Sequence, residues 1–360
     1  MTEPERTEVI VIGGGQAGLT AGYYLSQANI PFVILDAEAR VGESWRRRWD
    51  SLELFTPARY SALPGLPFPG HPEHYAGKDA VAEYLENYAR IFNLPIRRDN
   101  LVTSVVPGDA GYRVATESGQ YDAAQVIVAT GAYQTPRIPS LSKKLSGEVT
   151  QLHSFDYRNP KQLPADVVLV VGAANSGAQI AEDLAATHQV HLSQGAKISH
   201  LPLRLFGQSV HFYGDHLGLI AASLDSWRGR TQRGDTLIGT SLRQLKRRGG
   251  IELHGRTVDA HERTVTFEDG SALEVEAVIW ATGFHSDYSW ILVPVLDDHG
   301  VPVHRRGLTE SPGFFFLGMK NQYSRGSSLI YWVRNDAAFI VDHVNAERVR
   351  RDETIPDADR

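Results

Sequence analysis

Three glycines near the beginning of the chain have the spacing of a turn that binds phosphate groups. Gly13, Gly15 and Gly18 follow a short apolar strand at residues 9–12. In this pattern the first glycine permits a tight turn, the second lets the backbone approach a pyrophosphate, and the third lets a helix pack closely on the strand. The N-terminus of that helix directs unpaired N–H groups toward the phosphates. Asp36 ends the next apolar strand, where a carboxylate can accept a hydrogen bond from a ribose hydroxyl, so these residues predict a dinucleotide site.

A second turn of the same kind occurs at residues 172–177, after the apolar run 167–171. Its middle glycine is replaced by Ala174, whose methyl group should hold a pyrophosphate slightly farther from the backbone. The strand that follows ends in Ser193 and Gln194 and lacks a carboxylate. We call residues 13–18 the first loop and residues 172–177 the second loop. The second loop predicts another dinucleotide site, and the alternative is a glycine turn without a ligand.

Each loop is followed in the chain by a buried strand that ends in Ala-Thr-Gly, at residues 126–131 and 278–283. This repeat predicts an α/β fold with two Rossmann-like dinucleotide-binding units. We expect the second unit to be inserted into the first, with crossings near the two Ala-Thr-Gly segments. The predicted boundaries are residues 1–140 and 285–350 for the first unit, 141–284 for the second unit, and 351–360 for a polar tail.

The composition restricts the function further. The chain has 360 residues, of which 42% are hydrophobic and 22% charged, and its formal net charge is −6. It lacks the basic excess of a protein that binds nucleic acid. The absence of cysteine excludes disulfides, thiolate ligands and thiol redox chemistry. No secretory signal is visible and no apolar run reaches the length of a membrane span, so we expect a cytoplasmic protein that does not bind a membrane.

Two groups of side chains have a structural explanation that we prefer to a functional one. His71 and His74 are close in sequence, but no third ligand accompanies them, so the sequence predicts a solvated loop and no metal site. Phe314, Phe315 and Phe316 are more typical of a buried strand than of a substrate pocket.

Several separated motifs resemble the flavin-containing monooxygenases, and most of all their short, soluble bacterial members. The resemblance is carried by both loops, both Ala-Thr-Gly segments, "GESWRRRWDSLELFTP" at residues 42–57 and "LPGLPFPG" at residues 63–70. It extends over roughly residues 8–345 of the chain.

The resemblance implies that the first loop binds FAD and that the second binds NADPH or NADH. Hydride would pass to the flavin, and O2 would add to the reduced flavin. The resulting flavin C4a-(hydro)peroxide would transfer one oxygen to a thioether, an amine or a ketone. The FAD contacts that it implies are Gly13, Gly15, Gln16, Ala17, Gly18, Asp36, Ser44, Trp45, Thr56, Val102, Ala129, Thr130 and Gly131. The implied nicotinamide-coenzyme contacts are Gly172, Ala174, Asn175, Ser176, Gly177, Ser193, Gln194, Ala281, Thr282 and Gly283.

The sequence departs from the family pattern at two places. The signature F-x-G-x-x-x-H-x-x-x-[FY] keeps His153 and Tyr157, but Leu145 replaces the aromatic residue and two extra residues precede the histidine. The pocket asparagine of the longer members falls on Phe55. Because an apolar ring cannot donate a hydrogen bond, we expect a shorter-lived oxygenating intermediate and leakier oxygenation.

Other candidates for the flavin pocket lie near the end of the chain. Residues 319–328 form a polar turn before the last helix, and Asn321 and Gln322 are candidate hydrogen-bond donors. The N-terminus of the following helix, expected near residues 335–336, would favour negative charge on a reduced flavin. Trp45 and Trp49 lie beside the matched flavin segment, so we favour a position next to the cofactor over a purely structural one.

The coenzyme preference and the reaction leave alternatives. Ser193 and Gln194 are neutral and can hydrogen-bond either ribose, so we expect poor discrimination between NADH and NADPH; Lys197 or Arg204 could still reach a 2′-phosphate. The alternatives to a monooxygenase are a flavin NAD(P)H oxidase or reductase that releases peroxide, and a regulatory flavoprotein that senses nucleotides. We expect a small-molecule substrate and O2, with a homodimer as a further possibility.

Overall fold

The computed structural model describes residues 4–109, 111–164, 166–230 and 236–354. The first part of the chain contains nine strands and three helices in the described ranges. They are β1 (Glu5–Ile12), α1 (Gln16–Gln27), β2 (Phe32–Leu35), α2 (Glu43–Arg46), β3 (Glu53–Pro57), β4 (Tyr75–Gly77), α3 (Lys78–Ile91), β5 (Ile96–Arg97), β6 (Val102–Gly108), β7 (Gly111–Thr116), β8 (Gln120–Val128) and β9 (Thr135–Pro136).

The middle of the chain continues with β10 (Thr150–His153), β11 (Val167–Val171), α4 (Asn175–Leu184), β12 (Gln189–Ser193), β13 (Ser199–Leu201), β14 (Arg204–Leu205), β15 (Gln208–Ser209), α5 (Val210–His216), α6 (Trp227–Arg230), β16 (Thr236–Ile238), α7 (Leu242–Arg248), β17 (Ile251–His254), β18 (Thr257–His261), β19 (Thr264–Phe267), β20 (Ala272–Glu274), β21 (Ala277–Trp280) and β22 (Phe284–His285). The last part contains β23 (Phe314–Phe316) and α8 (Val333–Thr354), and short 3-10 turns occur at Ala58–Tyr60, Ser140–Lys144, Pro160–Gln162 and Arg325–Ser328.

Two large sheets organise these elements. The first has the order β5-β2-β1-β8-β7-β6, with β23 paired in parallel to the last residues of β8. The second is wholly parallel and has the order β10-β21-β11-β12-β17. Since β23 returns to the first sheet after the second sheet is complete, the second unit is inserted into the first. The predicted α/β fold with two Rossmann-like units is therefore confirmed.

The two crossings between the units lie side by side. β9 follows the first Ala-Thr-Gly segment and β22 follows the second, and these short strands pair antiparallel, with Phe284 opposite Pro136. The hydrogen bonds of this pair hold together the two chain segments that join the sheets. Relative motion of the units must therefore bend or break this ladder.

A long segment between β12 and β17 also connects the units. We call residues 199–230 and 236–238 the bridging segment. Arg204 forms a 2.7 Å ion pair with Glu73, and Asp215 accepts a 2.8 Å hydrogen bond from the indole of Trp332. The backbone N–H of Leu224 donates to the carbonyl of Tyr323 at 2.9 Å. The second unit thus extends across the chain that precedes α8.

The helix α3 fixes the proline-rich loop that precedes it. Its apolar face is buried at Val81, Tyr84, Leu85, Tyr88 and Ala89. The Tyr84 hydroxyl accepts from the Leu63 N–H at 2.7 Å and donates to the Leu66 carbonyl at 2.8 Å. The Tyr88 hydroxyl donates to the Pro64 carbonyl at 2.7 Å. Two buried phenols therefore satisfy the backbone of a loop that has no ladder of its own.

Some predicted elements differ in extent. The strand that leads to the second Ala-Thr-Gly segment is β21, and a bend separates it from β20. At this bend the Glu276 carboxylate accepts hydrogen bonds from the N–H groups of Asp166 and Val167. The last helix begins at Val333, before the expected residues 335–336. It continues through residue 354, so the predicted polar tail begins inside a helix, and residues 355–360 lie outside the described residues. Phe314, Phe315 and Phe316 form the buried strand that the sequence predicts.

Candidate functional site

The first loop has the backbone geometry that its glycines predict. Gly13 adopts a φ of +108°, and a Cβ atom there would lie 2.7 Å from the Ala129 carbonyl oxygen. A Cβ atom on Gly18 would lie 1.8 Å from the carbonyl oxygen of Gly13. Nothing lies within 4 Å of a Cβ atom on Gly15, and no side chain caps the N-terminus of α1. Two glycines are thus required by contacts inside the protein, and the third faces open space beside free N–H groups.

Asp36 lies beside the first loop and hydrogen-bonds to its backbone. One carboxylate oxygen accepts from the Gly14 N–H at 2.7 Å and the other from the Glu38 N–H at 2.9 Å. Burial raises the pKa of Asp36, and the two backbone N–H groups oppose that shift by stabilising the anion. Each oxygen retains a lone pair, so the carboxylate can still accept from a ribose hydroxyl.

The second loop repeats the geometry of the first. Gly172 has a φ of +109°, and a Cβ atom there would lie 2.3 Å from the Ala281 carbonyl oxygen. A Cβ atom on Gly177 would lie 1.7 Å from the Gly172 carbonyl oxygen. Ala174 is the residue that precedes α4, in the place that Gly15 takes before α1. The two loops lie more than 150 residues apart in the chain, and in both of them the first and the last glycine allow the same close backbone contacts.

The side chain of Asn175 is committed to the bridging segment. Its amide donates to the Thr236 carbonyl at 3.1 Å and accepts from the Ile238 N–H at 2.9 Å. The backbone N–H of Asn175 and the second hydrogen of its side-chain amide remain for a phosphate. Ser176, the next residue of α4, is half-buried at the same helix N-terminus.

The structure corrects the predicted role of Ser193. Its side chain is buried, and its hydroxyl donates to the Gly255 carbonyl at 2.8 Å and lies 2.8 Å from the Thr257 hydroxyl. The hydroxyl also accepts from the Thr257 N–H. Ser193 therefore fixes the turn between β17 and β18 and is unavailable to a ribose. Gln194 is half-buried and donates to the Ala196 carbonyl, which leaves its amide oxygen free to accept.

The same turn supplies a cation that sequence reasoning missed. The Arg256 guanidinium donates to the carbonyl of Gly195 at 2.5 Å, directly after the end of β12. Among the described residues no carboxylate pairs with Arg256. Arg204, one of the two cations considered from the sequence, is instead paired with Glu73. Arg256 lies sixty-one positions after Gly195, and only the pairing of β12 with β17 brings them together, so no local sequence signal could identify it.

Both Ala-Thr-Gly segments lie against their own loops. Ala129 and Ala281 provide the carbonyls that contact Gly13 and Gly172. The Thr130 hydroxyl accepts from Gln134 at 2.9 Å, and the Thr282 hydroxyl donates to the Arg137 carbonyl. The glycines that follow, Gly131 and Gly283, have φ values of +72° and +82°. These segments therefore shape the floor of each loop, in accordance with their predicted place.

The predicted contacts in residues 42–57 have mixed positions. Ser44 and Trp45 lie on α2, and Trp45 is partly buried against the cores of both units. Trp49 is a core residue that is 4% exposed and packs with Tyr157 in the core of the second unit, which favours the structural position over the predicted one next to the cofactor. The Thr56 hydroxyl is buried and lies 2.9 Å from the Ser61 hydroxyl.

Gln322 is also a structural residue. It is buried, its amide donates to the Phe316 carbonyl at 2.9 Å, and its amide oxygen accepts from the Met319 N–H. Its predicted donor groups are therefore used inside the turn. Asn321 is exposed in a left-handed conformation, with a φ of +60°, and keeps its amide available.

The turn that carries Asn321 lies against the first loop. A Cβ atom on Gly318 would lie 2.6 Å from the Ala17 side chain, and Gln16 donates to the Ser328 carbonyl at 3.2 Å. Val102, by contrast, is buried at the start of β6 and presents its side chain to the core.

Phe55 lies where the two units and the bridging segment meet. Its ring stacks on His211 of α5, with a centroid distance of 5.9 Å and an interplanar angle of 16°. A cavity of about 300 Å³ also borders Phe55, and its lining includes Tyr75, Asn175 and the carboxylates of Glu53, Glu182 and Asp183. Phe55 has no hydrogen-bonding group, so it contributes only apolar contact to this junction.

His211 is a buried histidine without a compensating charge. It is 4% exposed, and its Nδ1 atom has no hydrogen-bond partner in the described part of the chain. Its ring also lies 6.0 Å from that of Trp332. Burial lowers the pKa of His211 to about 4, so the imidazole is neutral at physiological pH. No local sequence pattern identifies this residue, because α5 reaches Phe55 only through the tertiary fold.

His71 and His74 do not belong to a group of three potential metal ligands in the part of the chain that the structure describes. The Nδ1 atom of His74 lies 2.6 Å from the backbone carbonyl of His71, and His71 is exposed. This agrees with the solvated loop that the sequence predicts.

Comparison with known proteins gives consistent results. Residues 10–200 match the family described as pyridine nucleotide-disulphide oxidoreductase. The chain is 45% identical to the uncharacterized oxidoreductase CzcO-like of Geobacillus kaustophilus over 94% of this chain and 98% of that protein. It is 40% identical to the uncharacterized oxidoreductase CzcO of Bacillus subtilis over 94% and 99%. A flavin-containing monooxygenase from Stenotrophomonas maltophilia superimposes with a TM-score of 0.81 at 28% identity, covering 95% of this chain and 99% of that one. No helix in the described ranges has the length and apolar character of a membrane span.

The buried imidazole should make stability depend on pH. The pKa of His211 in the folded protein, about 4, lies below the ordinary value of 6.5. Between these two pH values the unfolded chain therefore binds a proton at this residue and the folded protein does not. The effect of His211 on the free energy of unfolding is therefore absent above pH 6.5. As the pH decreases from 6.5 toward 4, this residue lowers the free energy of unfolding. In His211→Leu the part of this slope due to one proton, about 1.4 kcal/mol per pH unit, should disappear.

Urea denaturation at several pH values between 7.5 and 4.5 measures this difference. His216→Leu, which changes an exposed histidine of the same helix, should keep the wild-type slope. Parallel stability curves for wild type and His211→Leu would contradict the assignment.

Proposed function

Since the chain belongs to the pyridine nucleotide-disulphide oxidoreductase family, among its flavin monooxygenases, we propose that it transfers one oxygen atom from O2 to a small thioether, amine or ketone. The chain is an oxidoreductase, and its cofactors are FAD and NADPH. The chemistry of the substrate, a cytoplasmic location and a homodimer stay predictions.

The observation that carries the proposal is the pair of equivalent loops in a chain without cysteine. Two dinucleotide sites on adjoining sheets suit the transfer of a hydride from one nucleotide to another. In this family the electrons can continue to a disulphide, but that route needs thiols, and the chain has none. The remaining acceptors are O2 and a substrate that O2 oxidises.

The residues of the first loop fit FAD. A cradle exists at Gly15, where a Cβ atom would enter open space at the N-terminus of α1. Uncapped N–H groups at that terminus can hold a pyrophosphate, and Asp36 retains an acceptor for a ribose. We propose residues 1–140 and 285–350 as the FAD-binding unit and residues 141–284 as the NADPH-binding unit, supported by the placement of the two sheets.

The residues of the chain position and shield the reacting groups. Bound FAD would accept a hydride from NADPH and supply the reaction with O2. The N–H groups of the first loop would hold its pyrophosphate, and those of α4 would hold that of NADPH. Phe55, with the bridging segment behind it, would exclude water at the junction of the units. The imidazole of His211 is neutral at physiological pH and carries a single N–H, so it would not act as a cationic proton donor.

A second candidate function is an NADPH oxidase that releases hydrogen peroxide. The observation that favours it is Phe55, which stacks on His211 and offers no hydrogen bond to an oxygenating intermediate. A sensor of nucleotides is less well supported, because both loops retain the geometry of a binding site and a sensor needs one ligand.

Aerobic turnover with a simple thioether separates these functions. We expect sulfoxide to form together with a substantial fraction of peroxide, because Phe55 gives the intermediate no polar support. Sulfoxide, hydrogen peroxide and consumed NADPH should be measured in the same reaction, with a reaction that lacks the thioether as control. Peroxide equal to all the NADPH consumed, with no sulfoxide from any thioether, amine or ketone tested, would establish the oxidase instead.

The cradle at Gly15 predicts a variant that folds but loses FAD. In Gly15→Val the side chain would occupy the space that we assign to the pyrophosphate, without a clash inside the protein. We expect bound FAD to fall at least tenfold while the thermal stability of the FAD-free protein is unchanged. Gly119→Val is the matched control, since a Cβ atom there also meets nothing within 4 Å. Equal FAD content in both variants would contradict the assignment of the first loop.

Arg256 predicts a preference for NADPH that the sequence did not. An exposed guanidinium beside Gly195 can form a charge-assisted hydrogen bond with a 2′-phosphate, which after screening is worth about 1.4 kcal/mol, or tenfold. We expect kcat/KM to favour NADPH about tenfold in the wild type. In Arg256→Ala the value for NADPH should fall to that for NADH, which should change little. Lys197→Ala, the control, should keep the preference, and equal use of both coenzymes before and after Arg256→Ala would refute this role.

A further inference from the structure

We propose that His191, Glu252 and His254 form a binding site for a divalent transition metal, with Zn²⁺ the best match. The sheet places these residues together. His191 lies on β12 opposite Glu252 on β17, and Ser193 lies opposite His254 in the same parallel pairing. Residues two apart on a strand point to the same face, and paired residues of neighbouring strands share that face. One face of the sheet therefore carries three side chains that can bind a metal.

The potential ligand atoms converge. One ligand atom from each residue lies within 4.8 Å of the others, in the only such group of three among the described residues. The Nδ1 atom of His191 is 2.9 Å from Nε2 of His254 and 3.7 Å from a carboxylate oxygen of Glu252. Zinc bonds of about 2.0–2.2 Å in tetrahedral geometry place ligand atoms about 3.3 Å apart. A change of a few tenths of an ångström between the two imidazoles would admit the ion.

The surroundings fix two ligands and leave one side open. His191 is buried, and the ring of His254 stacks on Phe267 with centroids 4.2 Å apart and an angle of 13°. The Glu252 side chain is 62% exposed, so solvent can provide the fourth ligand. In this cluster the two histidines are held by their surroundings, and the position beside Glu252 is open to solvent.

A neighbouring amide can support the required tautomer of His191. The side-chain nitrogen of Gln189 lies 3.4 Å from Nε2 of His191. Rotation of the amide by half a turn would place its oxygen there to accept the Nε2 proton. The lone pair of Nδ1 would then face the metal, as in metal sites whose second imidazole nitrogen donates to an oxygen.

The proposed site has no part in the activity proposed above, and it lies at a structurally sensitive place. β17 is the edge strand of the second sheet and pairs only with β12 in that sheet. A metal held by both strands would tie this edge to the sheet and to β19 through Phe267. Since a metal that binds the folded chain stabilises it, metal binding should raise the stability of the second unit.

The test is Zn²⁺ binding by the FAD-loaded protein without a polyhistidine tag. Competition with a chromogenic chelator gives affinity and stoichiometry, and thermal unfolding with equimolar Zn²⁺ gives the stabilisation. We expect one Zn²⁺ per chain and a rise in Tm of several degrees. Glu252→Gln should weaken binding at least tenfold, and His254→Gln should abolish it together with the rise in Tm.

Two controls separate this site from unspecific binding to histidine. His261→Gln changes an exposed histidine of the neighbouring strand β18, and His71→Gln changes the exposed loop. Both variants should bind Zn²⁺ as the wild type does. The proposal would be overturned if the wild type did not bind Zn²⁺, or if Glu252→Gln and His254→Gln bound it as the wild type does. It would also be overturned if His261→Gln or His71→Gln weakened binding as much as those two variants. None of these outcomes depends on oxygenation, so the proposed function is tested separately.

Discussion

The close contact between a glycine carbonyl and the Cα of a second glycine five residues later determines both nucleotide loops. In each loop the distance from the carbonyl oxygen to a hypothetical Cβ is below 2 Å, at Gly18 in the first loop and at Gly177 in the second. Any side chain there would push the helix away from the strand that precedes it. The helix N-terminus would then no longer face the space beside Gly15 or Ala174. The phosphate binding that we propose for both loops thus depends on a packing contact that involves no ligand.

Several contacts hold together the two units that carry these loops. β9 pairs with β22 at the crossings, and β23 returns to β8 beside the first Ala-Thr-Gly segment. The bridging segment extends from the second unit to Glu73 and Trp332 in the first. These contacts place Phe55 and His211 at a junction where both units contribute. The rings of Phe55 and His211 stack at this junction, and the cavity beside them is lined by apolar side chains together with the carboxylates of Glu53, Glu182 and Asp183.

Two polar residues at predicted ligand positions bind the backbone of the protein instead. Ser193 and Gln322 have the right chemical groups and positions in sequence for ligand contacts, yet each is buried and bonded to backbone groups of a neighbouring turn. Buried carbonyl and N–H groups need hydrogen-bond partners, and neighbouring polar side chains provide them. A ligand role requires a polar group that the protein itself does not already use. Asn321, which was a candidate from the sequence, and Arg256, which was not, meet that condition better than Ser193 and Gln322.

The sequence by itself determined the fold class, the insertion of one unit in the other, both loops and the buried strand at Phe314–Phe316. Those features depend on local rules: glycine spacing, apolar runs and helical periodicity. Only the tertiary structure decided that Trp49 is a core residue, that Ser193 is buried, that His211 stacks on Phe55, and that Arg256 lies beside Gly195. Each of these depends on a contact between residues distant in the chain, and a strand order or a side-chain partner is not encoded in the spacing of neighbouring residues.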